Sequence, residues 1–343
     1  MSRLRFVLGF VISAVFLWLA LKDQDLSKVW DTLSHANYFW IIPGILTYFL
    51  AVLARTWRWH YMLRSIKPVS LRMLFPIVTI GYMGNNIYPA RAGEVLRAYV
   101  LKKRAGVPMS ASLATVVIER LFDGVVMLLF VLVSLPRLET LPDWLRQIVI
   151  LGSVVFFGAL LVFFAVAGNP HHARRMYRWL IGRLIPIEFQ GRVHGLADRF
   201  MDGLTSLRRE RDVLMIFLTS LVIWLLETVK YWFVMHAFPF EVSFYALMLM
   251  NGVVNLATTI PSSPGYVGTF DAPGIAILEA FGISRTLATG YTLVLHAALW
   301  FPITALGAFF MAHESLSWAS VKADLAQQQA QPVPAGEVLE VEL

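Results

Sequence analysis

Charged side chains are costly inside apolar helices, and where they stand they usually mark a site or a buried partner. The apolar run 111–135 carries Glu119, Arg120 and Asp123. Glu119 and Asp123 are one helical turn apart on one face, and Arg120 projects about 100° away. Two acids and one base leave a local negative charge. It calls for a further cation, with Arg91 and Arg97 as the candidates, or for a protonated acid. The run 213–238 carries Glu227 and Lys230 at the i,i+3 spacing that lets them pair. They are either a self-neutralising couple or part of a site. Arg55 and Arg58 stand near the end of the run 39–59, where they can snorkel to the interface or face inward. Arg91, Glu94 and Arg97 follow one broken apolar stretch, and Asp271 lies within another.

The chemistry these residues can do is recognition of an anion, because guanidinium forks match phosphate and carboxylate. Catalytic alternatives find little support. There is no phosphate-binding loop of the nucleotide hydrolases, no dinucleotide fingerprint and no metal-ligand cluster. Ser262 and Ser263 have no His and Asp placed to complete a triad, and His296 reads as a packed, hydrogen-bonded histidine. With no cysteine in the chain, disulfides, thiolate metal sites and a cysteine nucleophile are excluded. Neither a cofactor nor a metal is expected, and without an ATP site any transport is passive or driven by an ion gradient.

The elements that must hold these groups are membrane helices. Of 343 residues, 58% are hydrophobic and only 15% are charged. Soluble domains carry about 25% charge. Six apolar runs, 6–21, 39–59, 111–135, 145–167, 213–238 and 286–312, approach the ~20 residues that cross the hydrocarbon core. The first has no small-residue cleavage site behind it, so it is expected to be a span and not a signal peptide. Two further stretches are broken. One, 74–89, contains Gly81, Gly84, Asn85, Asn86 and Pro89, and its hairpin extends to 104. The other, 244–281, contains Asn251, Asn255, Pro261, Pro264, Gly265, Gly268 and Pro273. Lipid satisfies no backbone hydrogen bond, so broken backbone at membrane depth must be shielded by protein or line a wet cavity. Both are read as re-entrant helical hairpins, the alternative being single kinked spans. Glycines beside the breaks, Gly93, Gly265 and Gly268, can relieve strain or free N–H groups to face a phosphate.

The net charge of +7 is concentrated between apolar runs, in 60–110 and 168–211. Anionic lipid headgroups are therefore the expected partner, and nucleic acid is not. Loops on the other side hold few Lys or Arg, which places both basic segments and both termini in the cytoplasm of a cell-membrane protein. Residues 171–211 read as interfacial amphipathic helices, and 313–343 as a tail, disordered from about 325.

A shift of 172 residues lays Thr56, Arg58, Trp59, Pro89 and Gly93 on Thr228, Lys230, Tyr231, Pro261 and Gly265. The expected architecture is all-α, with about six transmembrane helices and two re-entrant hairpins. It forms an inverted repeat of 39–135 and 213–312, with the substrate site at the broken helices between the halves.

The stretch GNNIYPARAGE at 84–94, with Arg97 and ERLFD at 119–123, and the stretch PSSPGYVGTF at 261–270 carry a resemblance. Together they resemble the flippase-like transmembrane domain of lysylphosphatidylglycerol synthases, over nearly the whole chain. The resemblance implies two re-entrant subdomains around a lipid-accessible cavity, and translocation of an anionic, aminoacylated or glycosylated lipid between leaflets. It carries roles to Asn86, Pro89, Arg91, Gly93, Glu94, Arg97, Glu119, Arg120 and Asp123, and to Pro261, Pro264, Gly265 and Gly268. Pro89, Gly93, Pro261 and Pro264 would make the breaks and the others the lipid site, with Arg55, Arg58, Glu227, Lys230 and Asp271 as secondary candidates. About 30 residues follow the last apolar run, too few for the aminoacyl-transferase domain of the full-length synthases. Aminoacylation is therefore not expected. The alternative function is a lipid-binding accessory protein that presents its lipid to a lipid-synthesis enzyme.

Overall fold

The computed structural model describes residues 3–21, 24–88, 91–134, 210–259 and 263–313, with scattered positions between 147 and 194. The expected span 145–167 and basic segment 171–211 fall largely outside these residues, and the tail beyond His313 and the prolines Pro89 and Pro261 fall outside them entirely. Every regular element among the described residues is a helix. In chain order they are α1 (Arg3–Leu21), α2 (Leu26–Ser34), α3 (Ile41–Leu63), α4 (Leu71–Ile87), α5 (Ala92–Ala105) and α6 (Met109–Ser134). After the gap come α7 (Glu210–Met235), α8 (Phe244–Ala257), α9 (Asp271–Ala280) and α10 (Arg285–His313). Among the described residues three helices are long and apolar enough to cross a membrane: Tyr38–Leu63, Arg211–Met235 and Arg285–His313. Helix α6 matches their length at 26 residues but carries the three charges of its centre. The chain is a multi-pass helical membrane protein.

Among the described residues two series of four helices have the same order, long, short, short, long: α3 to α6, and α7 to α10. Adding 172 to the bounds of α4 gives 243–259, against Phe244–Ala257 for α8. The packing repeats as well. Helix α3 lies against α7, α4 against α10, and α8 against α6, so each series lends its first short helix to the other's last long one. Small residues permit these crossings. A Cβ at Gly307 of α10 would stand 2.6 Å from the Thr79 carbonyl of α4, and one at Gly252 of α8 would stand 3.2 Å from the Met127 carbonyl of α6. The outer stripes match too. Leu46, Leu50 and Leu53 are exposed on α3, and Leu218, Val222 and Leu225, each 172 residues on, are exposed on α7. Such exposed apolar rows at helical spacing are what lipid would cover.

The short helices end where the sequence breaks them. Helix α4 stops at Ile87, and the chain re-enters α5 through Arg91, whose left-handed backbone (φ 53°) makes the turn. Helix α8 stops at Ala257, and a 3₁₀ turn, Pro264–Tyr266, leads towards α9, with Gly265 and Tyr266 both at positive φ. Gly93 serves close packing here: it lies against Gly81 and Gly84 where α5 crosses α4.

A Cβ at Gly93 would meet the Gly81 carbonyl and stand 2.7 Å from Asn85 Oδ1, so α4 and α5 must part to accept it. Gly93→Ala should cost about 1–3 kcal/mol, the usual range for overpacking a tight contact. Thermal unfolding of the purified protein, compared with wild type, checks it: a lowered midpoint is expected, and an unchanged one would refute the close crossing.

Candidate anion-binding cavity

The two chain breaks meet. Trp300 of α10 donates its indole N–H to the Asn86 carbonyl at 3.3 Å, and Asn86 donates to Thr304 Oγ1 at 2.8 Å, fixing the end of α4 to α10. Arg91 donates to the Thr258 carbonyl just after α8, at 3.0 Å. A cation is favourable there because the last carbonyls of a helix lack partners. Between these residues opens a cavity of about 130 Å³. Helices α3 and α7 contribute Arg55, Trp224, Glu227 and Lys230, and the first break contributes Asn85, Asn86 and Arg91. The second break contributes Thr258, Gly265 and Tyr266, α6 contributes Arg120, and α10 contributes His296 and Trp300.

Behind this lining, ion pairs join the helices. Arg58 donates to Asp123 Oδ1 and to the Ser220 hydroxyl, both at 2.6 Å, and Asp123 also accepts from the Trp224 indole at 3.0 Å. Both charged side chains are at most 3% exposed, so one carboxylate ties α3, α6 and α7 together. Arg58 therefore does not snorkel. Arg97 donates to Glu119 Oε2 at 2.7 Å, joining α5 to α6, with its guanidinium 4.3 Å from the centre of the Trp59 ring. Glu227 accepts from both Arg55 and Lys230, and Arg55 lies 172 residues from Glu227, the same offset that relates the bounds of α4 and α8, so positions at that offset pair across the α3–α7 contact.

Arg120 and Arg91 are held differently. Both approach the same oxygen, Glu94 Oε1, at 3.1 and 3.8 Å, and Arg120 stands 3.7 Å from Asp123, whose carboxylate already serves Arg58. Arg120 is 39% and Arg91 26% exposed, against 2% for Arg58 and 9% for Arg97. Among the described residues the ion pairs fall into three groups: Arg58, Arg91 and Arg120 with Glu94 and Asp123, Arg55 and Lys230 with Glu227, and Arg97 with Glu119. Each of the first two groups carries one positive charge in excess, and the third is neutral. The local negative charge read along 111–135 is thus reversed, because the compensating cations arrive from α3 and α5.

The structure brings Asn86, Arg91, Arg120 and Gly265 to the cavity, with Arg55, Glu227 and Lys230. Arg58, Arg97, Glu119 and Asp123 stand behind it as paired supports. Gly268 is not in the lining: at φ 81° it packs on α1, where a Cβ would meet the Ser13 carbonyl at 2.6 Å. Nor do the backbone amides beside the breaks face the cavity as freely as expected. Gly268 N donates to Asp271 Oδ2 at 2.8 Å, and Glu94 N donates to the Arg91 carbonyl at 3.0 Å. Side-chain cations, and not helix N-termini, are what the cavity offers an anion. Sequence reasoning missed the aromatic wall of Tyr48, Tyr82, Trp224, Tyr266 and Trp300. At the level of sequence these are ordinary aromatic residues of membrane helices, though Tyr266 lies inside the second motif.

A sequence-family model described as the lysylphosphatidylglycerol synthase TM region matches residues 6–307. A UPF0104 membrane protein of Methanothermobacter thermautotrophicus is 26% identical over 313 residues, spanning 88% of this chain and 89% of that protein. Another from the same organism is 24% identical over 293 residues, 82% of this chain and 87% of the relative. The glycosyltransferase AglD of Haloferax volcanii is 26% identical over 337 residues, which is 89% of this chain but 53% of AglD.

Removing one member of a buried ion pair strands the other, at about 3–5 kcal/mol, whereas replacing both by apolar residues is often close to neutral. Arg58→Ala should therefore unfold or strongly destabilise the protein, and Arg58→Met with Asp123→Leu should recover most of the loss. Thermal melts of the two variants in detergent test this. A mild effect of Arg58→Ala would mean that the pair is not structural.

Proposed function

This chain belongs to the family of the lysylphosphatidylglycerol synthase transmembrane region, and on that premise we propose that it moves an anionic or glycosylated lipid between membrane leaflets. The observation that carries the reading is the pair of partly exposed cations at the cavity wall, Arg91 and Arg120, which share the single carboxylate of Glu94. A lipid phosphate entering between them takes the place of their shared partner, Glu94 Oε1, with guanidinium forks suited to its oxygens. The cavity has room for a polar headgroup, so the acyl chains stay in the surrounding lipid.

The same reading covers the topology. The 172-residue offset shared by helix bounds, crossing partners and exposed stripes supports an inverted repeat, with α4–α5 and α8–α9 as re-entrant hairpins. In this architecture the substrate site lies between the halves and access alternates around it. The Lys and Arg bias supports cytoplasmic termini in a cell membrane. No enzymatic step is assigned to the chain itself. Glu119 and Asp123 are bound to Arg97 and Arg58, which argues against their use as acid or base.

A second reading has one observation in its favour. The chain covers about half of a relative named as a glycosyltransferase. On that reading it binds a lipid and presents it to a lipid-modifying enzyme without translocating it.

Purified protein in vesicles bearing a labelled anionic phospholipid separates the two. Wild type should expose the lipid of both leaflets to a membrane-impermeant quencher, and Arg120→Ala should lower that rate at least tenfold while folding and insertion persist. Arg120→Lys should restore part of it, because it keeps the charge without the fork. Lipid binding without leaflet exchange in the wild type would favour presentation over translocation.

A further inference from the structure

His296 sits on α10 at the edge of the cavity with oxygen acceptors on both sides of its ring. Nε2 lies 2.7 Å from the Gly265 carbonyl, and Nδ1 lies 2.8 Å from Asp271 Oδ1. A carbonyl only accepts, so Nε2 carries a proton. An ionised carboxylate also only accepts, and a bare Nδ1 facing it would set lone pair against lone pair. The arrangement therefore needs a second proton, held between Nδ1 and Oδ1, which leaves the His296–Asp271 pair neutral overall. The other carboxylate oxygen, Oδ2, accepts from Gly268 N, and the Asp271 side chain is 3% exposed. The Phe270 ring covers the imidazole at 4.6 Å between centroids. The remaining ionisable groups of the cavity stand on other elements: Tyr48 and Arg55 on α3, Tyr82 on α4, Arg91 before α5, Arg120 on α6, Glu227, Lys230 and Tyr231 on α7, and Tyr266 in the second break.

We propose that His296 and Asp271 form a proton-binding site whose occupancy controls how firmly the second chain break is tied to α10. The strap is specific in place. Gly265 is the first of two consecutive left-handed residues in the break, and its carbonyl is held by the same ring that needs the shared proton. When the pair gives up one proton to solvent reaching the cavity, a single ring proton remains for two acceptors. Either the bond to Gly265 or the bond to Asp271 is then lost. Loss of the first releases the break from α10, beside Trp300, whose indole lies where a Cβ on Gly265 would stand. The proton is thus a second ligand of the protein. If the chain translocates lipid as proposed above, this site links cavity opening to a proton gradient, and that link alone depends on the translocation reading.

The test uses the cysteine-free sequence, which makes a single introduced thiol a clean reporter. Leu299→Cys places a thiol in the cavity lining, one turn from His296. Its labelling rate with a water-soluble maleimide is measured across pH in the otherwise native background and with His296→Gln added, whose amide does not titrate. Thiolate formation accelerates labelling in both backgrounds, so their ratio isolates the site. The ratio is expected to change by roughly two- to tenfold between acid and alkaline pH, the shift that one hydrogen bond exerts on an opening equilibrium. A ratio constant across pH overturns the proposal. Asp271→Asn, which keeps an acceptor for Gly268 N, serves as the second variant and must give the same divergence. Labelling needs no lipid movement, so the result is independent of the vesicle assay.

Discussion

One buried carboxylate, Asp123, holds the arrangement around which the cavity is built. It gathers the Arg58 guanidinium from α3, the Trp224 indole from α7 and the flank of Arg120 on its own helix. In an apolar bundle a lone charge is untenable, and even a good pair is close to break-even after desolvation. Such pairs persist for what they specify. Arg58–Asp123 and Arg97–Glu119 lock three long helices and one short one at fixed depth. With those acids committed, Arg120 and Arg91 are left to share Glu94. Structural pairing of four residues thus creates loosely held cations at the cavity wall.

The same division explains why the cavity sits where it does. Each short helix stops before it could bury its far end, and the exposed ends of α4 and α8 must find partners. They find them in each other's neighbourhood: Asn86 with Trp300 and Thr304, and the Thr258 carbonyl with Arg91. A polar space follows wherever two such ends face one another. Close glycine crossings at Gly252 and Gly307 bring each of these short helices near enough to a long one to enclose it. The proton site at His296 continues this logic, because it ties the Gly265 carbonyl of the second break to α10.

Much of this was legible in the sequence, for definite reasons. Proline and glycine clusters at 81–93 and 261–274 placed the chain breaks, because neither suits an uninterrupted helix. Charged residues in apolar runs pointed to Arg120 and Glu227, since few other positions at that depth tolerate charge. The motifs anticipated the family whose model matches. Pairing was less legible. Glu119 and Asp123 lie four residues apart and look like a single acidic face, yet their partners, Arg97 and Arg58, come from 22 and 65 residues away. The charge sum along that helix called for a further cation, with Arg91 and Arg97 as candidates, and Arg97 does pair with Glu119, but it gave no sign that Arg58 would pair with Asp123. The helix-terminus expectation failed similarly, because Asp271 supplies its own acceptor to Gly268 N. His296 was read as a packed, hydrogen-bonded histidine, and it is; that both its ring nitrogens meet acceptors is visible only in three dimensions.

The central claim is that this helical cavity holds a lipid through its phosphate. Native mass spectrometry of the purified protein, with the bound lipids identified, reaches it most directly. The account predicts that a phosphate-bearing anionic lipid is retained by the wild-type chain and lost when Arg91 and Arg120 are both changed to Gln, in a protein whose melting behaviour is preserved. Retention of neutral lipids only, or anionic lipid held equally well by the double variant, would contradict it.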